Sequence, residues 1–305
     1  MSVTRAYERL NGQLDGLVRH GESLSRHTSY RIGGPAALFV ECASVTDLAR
    51  VTEVLAEEGI EWIVLGKGTN VLASDEGYAG AVIVLGKEFK RHSVSESDVV
   101  AGAGVSLAAL VQDAFGRGLT GLEFAVGVPG TFGGALSMNA GTREAWIGSV
   151  VEAVTVYQPG SGLVRLRGPE VPWGYRTSGL SRLGVVVEAS LALEAGDEWR
   201  IRSSMEASLR RRKRSQPLSQ PNAGSVFKNP EGESAGRLIE TVGLKGQRAG
   251  GAQFSEVHAN FIVNIGGARA ADVVELMVMA QQRVRDEHGI ELEPEIRFLG
   301  SFEGA

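Results

Sequence analysis

The chain has 305 residues and a net charge of −5, with 43% hydrophobic and 22% charged residues; that length calls for two or three domains instead of one core. The acidic balance excludes general nucleic-acid binding, which rests on a surplus of Lys and Arg. The 41 glycines follow no period, which excludes collagen and solenoids, and the single cysteine, Cys42, excludes an internal disulfide or a cysteine zinc cage.

Residues 1–11 carry Arg5, Glu8 and Arg9 without an apolar core, so they do not read as a signal peptide. No run approaches the ~20 apolar residues of a membrane span, and the expected location is the cytoplasm. Residues 44–58 predict a helix with Ser44 as N-cap, Val45, Leu48, Val51 and Leu55 on one face, and Gly59 as the stop. Residues 62–65 and 81–85 predict buried strands, and this βαβ-like opening closes a first domain at 1–86. Residues 99–104 then read as a strand and 106–118 as a short capped helix. Residues 150–157, 163–166 and 185–193 read as strands of an α+β second domain, 87–214. Its last element is a helix over 199–214, whose basic end, Arg210 to Arg214, is favoured by the negative helix C-terminus. Residues 215–221 hold two prolines and read as a linker into a third domain, 215–305. There the pattern predicts a helix at 235–242 and a strand at 260–264. A long helix at 271–288 follows, with Val274, Met277, Val278 and Val284 inward, and a closing strand at 290–299.

Chemistry concentrates in a few loops. Gly66-Lys67-Gly68-Thr69-Asn70 follows a strand, and its glycines let backbone N–H groups approach a phosphate. It is neither a Walker loop nor a Rossmann fingerprint, and a plain strand-to-loop turn is the alternative. Residues 127–141 are apolar, uncharged and rich in backbone donors, which suits a bulky ligand bearing a pyrophosphate; a merely structural glycine loop is the alternative. Tyr175-Arg176 can hold a carboxylate through the two-pronged guanidinium, or Arg176 makes a surface ion pair. Ser225 offers a weakly acidic hydroxyl, or a turn hydroxyl bonded to its own backbone. Glu295 offers a carboxyl, or an exposed side chain beside Arg297. The five histidines have no metal-ligand spacing, and no metal is expected.

Six stretches taken in chain order resemble the UDP-N-acetylenolpyruvoylglucosamine reductase family. They are His27-Thr28-Ser29-Tyr30-Arg31-Ile32-Gly33-Gly34-Pro35-Ala36 and residues 66–70, 127–141, 174–178, 224–230 and 293–300. The resemblance covers nearly the whole chain. It implies an α+β, three-domain flavoenzyme with a vanillyl-alcohol-oxidase-type FAD-binding fold and a C-terminal α/β substrate domain. It further implies noncovalent FAD held by Gly66, Lys67, Gly68, Thr69, Asn70, Gly127, Pro129, Gly130, Gly133, Gly134, Asn139, Ala140 and Gly141. NADPH would be the reductant and a small molecule, the enolpyruvyl ether of a UDP-sugar, the substrate, in peptidoglycan precursor synthesis. Tyr175, Arg176, Lys228 and Asn229 would hold that substrate. Arg176 and Glu295 would stabilise the enolate left by hydride addition, and Ser225 would protonate it. The chain departs from many relatives in having Thr69 for serine, which keeps the hydroxyl. Residues 178–185 lack the tyrosine-bearing loop of one subtype, so the shorter subtype is expected. The alternatives are an FAD-dependent oxidase of the same fold acting on an alcohol or sugar, and a flavin- or nucleotide-sugar-binding regulator.

Overall fold

The computed structural model describes residues 2–95, 98–142 and 144–302. Two compact units emerge. The first comprises residues 1–20, 38–66 and 80–211; the second comprises 21–37, 67–79 and 212–305. They are drawn along different lines from the three consecutive segments read from the sequence. The physical reason lies in the second unit's core, where Tyr30, Ile32 and Leu72 pack with Phe227, Phe254, Ile262 and Leu276. Two short segments from the first quarter of the chain therefore complete a core whose bulk comes from the last third.

The first unit holds a five-stranded antiparallel sheet. Its strand order is Gly162–Arg167, Val151–Gln158, Val185–Ala192, Asp98–Gly102, His92–Val94. The Val151–Gln158 and Val185–Ala192 strands alternate only partly, because both of their faces meet apolar neighbours. The helices Leu107–Gly116 and Phe132–Ser137 add Leu110, Val111, Phe132 and Leu136 to one of these cores. A second sheet lies mostly in this unit and has the order Leu17–Ser23, Pro35–Cys42, Tyr78–Leu85, Trp62–Val64, the last two strands being parallel. The Val45–Glu57 helix covers it with Leu48, Val51, Val54 and Leu55. Ser44 caps that helix as its sequence predicts, its hydroxyl accepting from the Asp47 N–H at 3.1 Å. Gly59 follows it with φ 63°.

In the second unit the Ala270–His288 helix packs on the three-stranded sheet Arg248–Ala249, Ala252–Phe254, Ile262–Asn264. The Asp75 carboxylate accepts from the Ala270 and Ala271 N–H groups at 2.8 and 3.1 Å, which satisfies donors at the helix start. Two expectations need correction here. Val278 is 48% exposed; the inward stripe is Val273, Leu276, Met277, Ala280 and Val284, and Val278 falls outside its 3–4 spacing. The closing strand is only Arg297–Leu299, paired in parallel with Val71–Ala73. Pro294 has no N–H to donate, so the ladder cannot run back through it, and a single bridge, Phe227 to Pro294, stands in its place.

Candidate active site

In the first unit the residues expected to hold a pyrophosphate meet the residue expected to hold a carboxylate. Residues 127–141 begin as a turn, with Gly127 and Gly130 at φ 70° and 126°, then enter the Phe132–Ser137 helix. Thr131 caps it, its Oγ1 accepting from the Gly134 N–H at 3.2 Å. A Cβ on Gly66 would lie 2.6 Å from that same Oγ1, and one on Gly133 would lie 2.7 Å from the Ala103 Cβ. Both positions therefore exclude larger residues on packing grounds alone. Gly66, Gly127 and Gly134 are exposed.

Arg176 sits in the tight turn closed by Gly174 and Thr177, with its backbone in the left-handed region at φ 58°. A non-glycine residue holds that conformation only where neighbours over-determine it, and three tethers do so. Asn139 Nδ2 donates to the Gly174 carbonyl at 2.9 Å, Arg176 Nη1 donates to the Gly141 carbonyl at 2.9 Å, and Ser178 Oγ donates to the Ser137 carbonyl at 3.1 Å. Every tether ends in the glycine-rich segment. Asn139 is itself left-handed at φ 44° and buried, and its Oδ1 also accepts from the Gly148 N–H at 3.1 Å. Its side chain is thus an organiser of three loops. The guanidinium of Arg176 lies 5.3 Å from the ring centroid of Tyr175, which is 51% exposed.

The second unit repeats the arrangement with other residues. Gly68 is buried with φ 59°, and a Cβ there would come 2.2 Å from the His27 carbonyl oxygen. Its own carbonyl accepts from the Ser29 N–H at 3.1 Å. Asn70 reaches Glu295: its Nδ2 donates to the Glu295 carbonyl at 3.1 Å, and its carbonyl accepts from the Arg297 N–H at 2.9 Å. The Glu295 N–H donates in turn to the Val226 carbonyl at 2.8 Å. Glu295 is therefore bonded through its backbone to Val226, the residue that follows Ser225.

Ser225 follows Gly224, which has φ 78° and donates its N–H to Asn222 Oδ1 at 2.9 Å, an Asx turn. Asn260 fixes the other end. It is 2% exposed and acts as a strand partner made of one side chain: its Oδ1 accepts from the Phe227 N–H at 3.0 Å and its Nδ2 donates to the Phe227 carbonyl at 2.8 Å. Its carbonyl also accepts from the Val226 N–H at 2.9 Å. The sequence reading missed Asn260, which was expected only to begin a strand that the structure starts at Ile262. The usable signal was an amide in the apolar run Ala259-Asn260-Phe261-Ile262, since a buried amide must find partners. The Asn260 N–H donates to His258 Nδ1 at 3.1 Å. Burial, and then the charge of Lys245, hold the His258 imidazole below the usual histidine range.

Lys228 and Asn229, expected to face substrate, are engaged with the protein itself. Lys228 Nζ pairs with Glu293 Oε2 at 2.9 Å, and Asn229 Oδ1 accepts from the Ala235 N–H at 3.0 Å. Each loop by itself has a composition that suits a phosphate: residues 127–141 carry no charge and expose Gly127 and Gly134, and residues 66–70 carry no carboxylate and the single charge of Lys67.

The profile of the UDP-N-acetylenolpyruvoylglucosamine reductase C-terminal domain matches residues 216–299, and that of an FAD binding domain matches residues 36–167. UDP-N-acetylenolpyruvoylglucosamine reductase 2 of Symbiobacterium thermophilum is 46% identical over 286 residues, 93% of each chain. The chain belongs to the UDP-N-acetylenolpyruvoylglucosamine reductase family. The reductase of Heliobacterium modesticaldum is also 46% identical, over 93% of this chain and 91% of its own. The crystal structure of the family member from Thermus caldophilus superimposes with a TM-score of 0.82 at 39% identity, covering 93% of this chain and 99% of that one. The fold is accordingly the family's: α+β, with an FAD binding domain and a C-terminal reductase domain. No helix among the described residues is long and apolar enough to cross a membrane.

Proposed function

We propose that the protein reduces the enolpyruvyl double bond of UDP-N-acetylglucosamine enolpyruvate to UDP-N-acetylmuramate, with noncovalent FAD and NADPH as reductant. The observation that carries this is the 46% identity to a named reductase over 93% of both chains. It disfavours the oxidase alternative. FAD, when bound, would supply the two-electron, hydride-transfer chemistry that links NADPH to the enolpyruvyl β-carbon. Residues 66–70 and 127–141 would hold its pyrophosphate through backbone N–H groups, with Lys67 adding charge.

The remaining steps belong to the chain's own side chains. Hydride addition to the β-carbon leaves an electron pair on the α-carbon, delocalised into the carboxylate. Arg176 pairs with that carboxylate and stabilises the growing charge, and Tyr175 flanks its guanidinium. Glu295, when protonated, donates a hydrogen bond to the same carboxylate. Ser225 gives its hydroxyl proton to the α-carbon, and solvent restores it. A serine is a weak acid, but an enolate carbon held close is basic enough to take its proton. Lys228 and Asn229 approach the substrate only if they exchange their present partners. We further place the activity in the cytoplasm, where the nucleotide sugar and NADPH occur together, and assign FAD to segments 1–86 and 87–214 and the substrate to 215–305.

The test is a visible spectrum of the purified protein, followed by anaerobic bleaching with NADPH and reoxidation by the enolpyruvyl UDP-sugar. The expected result is a flavin spectrum that bleaches and returns without dioxygen. No flavin spectrum after reconstitution with FAD, or reoxidation only by dioxygen, contradicts the reading.

A further inference from the structure

Residues 67–70 are hydrogen-bonded at both ends to the groups proposed to manage the proton, and one of these links runs through a side chain that no role yet uses. Ser29 Oγ donates to the Asn222 carbonyl at 2.6 Å and lies 3.2 Å from the Gly68 carbonyl, which already accepts from the Ser29 N–H at 3.1 Å. One hydroxyl proton cannot serve two carbonyls equally, and the shorter distance assigns it to Asn222. Ser29 thus grips the Gly68 peptide with its backbone and the Asn222 peptide with its side chain. Asn222 begins the Asx turn that aims Ser225. At the other end of the loop, Asn70 holds the Glu295 carbonyl.

We infer that Ser29 is a positioning residue that joins the cofactor loop to the turn carrying Ser225, so that filling the loop sets the aim of the proton donor. The inference rests on the proposed roles of residues 67–70 and of Ser225. Ser29 is half-buried and touches neither reacting group, so it acts only through Asn222. The geometry makes the link stiff. Gly68 packs against the His27 carbonyl and the Thr28 backbone with no room for a Cβ, so a shift of its peptide is passed to the 27–29 segment that carries Ser29. The Asn222 amide is tied as well, its Nδ2 donating to the Gln220 and Pro217 carbonyls at 2.7 and 3.2 Å, so the turn moves as a block. Linkage of this kind is reciprocal: substrate that orders the Ser225 turn would also tighten FAD.

The test compares hydrogen exchange of the full chain before and after FAD loading, for wild type, Ser29→Ala, Ser29→Cys and Ser29→Thr. In wild type, FAD is expected to slow exchange in residues 66–70 and also in residues 222–228. In Ser29→Ala and Ser29→Cys the first protection remains and the second falls about tenfold, while Ser29→Thr, which keeps the hydroxyl, behaves as wild type. Stopped-flow should then find NADPH reduction of the two defective variants unchanged and reoxidation by substrate about tenfold slower. If Ser29→Ala does not fold, Ser29→Cys against Ser29→Thr decides. Undiminished protection of residues 222–228 in Ser29→Cys overturns the inference, and so does a Ser29→Thr variant as defective as Ser29→Cys. Wild-type protein in which FAD leaves residues 66–70 unprotected overturns the loop assignment itself, a separate outcome.

Discussion

The turns that carry Arg176 and Ser225 are each tied to a glycine loop, but by opposite means. The Arg176 turn is tied directly, by its own guanidinium, by Ser178 and by Asn139, to residues 137–141, and it holds a left-handed backbone to do so. The Ser225 turn is held by backbone bonds and by third parties: Asn222 before it, Asn260 after it, Glu295 beside it, and Ser29 reaching to the loop. The difference follows from the chemistry. A charge-stabilising arginine can spend one N–H on positioning and keep others for a carboxylate, since it carries five. A proton-donating serine has a single O–H and must leave it unspent, so other residues do the positioning.

That comparison can be broken in graded ways. Ser225→Ala should lower turnover by ~10²–10⁴-fold, the usual worth of a positioned general acid, in a steady-state assay with NADPH and the enolpyruvyl UDP-sugar. Arg176→Lys keeps the charge but loses the planar fork and the Gly141 tether; reoxidation by substrate should slow on the order of 10²-fold. NADPH reduction should suffer less, and equal damage to both half-reactions would make Arg176 merely structural. Gly68→Val forces a β-branched residue into a left-handed turn against the His27 carbonyl. It should give folded protein with most of its FAD lost, read from flavin absorbance per chain, and full occupancy would dismiss the loop.

Two smaller effects probe the Ser225 side alone. Asn260→Ala leaves the Phe227 N–H and carbonyl buried without their partner and should cost about 1–3 kcal/mol in chemical denaturation. Loss of less than a few tenths would show that the clamp is idle. His258 supplies a pH dependence of definite sign. Its folded pKa is depressed, and the neutral ring accepts the Asn260 N–H at Nδ1. The unfolded chain takes up a proton near the ordinary histidine value of about 6.5. The contribution is therefore present above that value and is lost as pH falls through the lower folded value. Unfolding midpoints at about pH 7.5 and 5.5 should differ more for wild type than for His258→Gln, whose amide does not titrate over that range.

Much of the scaffold was legible because its signals are local. Ser44 and Gly59 bracket their helix, and the Val151–Gln158 and Val185–Ala192 strands announce themselves as β-branched runs. Val278 misled because an apolar residue one step off the stripe looks the same in a composition window. Pro294 cut short a strand that hydrophobicity alone extended. The site divided along the same line. Gly66 to Asn70, Arg176, Ser225 and Glu295 stand in recognisable motifs. The bonds that organise them do not: Ser29 and Asn222 are 193 residues apart, and Asn70 and Glu295 are 225 apart. No periodicity or turn rule connects such pairs. Only a residue out of character with its surroundings, such as Asn260 in an apolar run, leaves a trace.

The measurement that bears most directly on this account is anaerobic stopped-flow on Ser225→Ala, with the two half-reactions followed separately. Alanine removes the O–H and changes little volume, so every tether of the turn is kept. The account predicts FAD binding and NADPH reduction close to wild type, with reoxidation by the enolpyruvyl UDP-sugar slower by orders of magnitude and partly restored in Ser225→Cys. Reoxidation of Ser225→Ala at close to the wild-type rate would contradict it and remove Ser225 from the proton transfer.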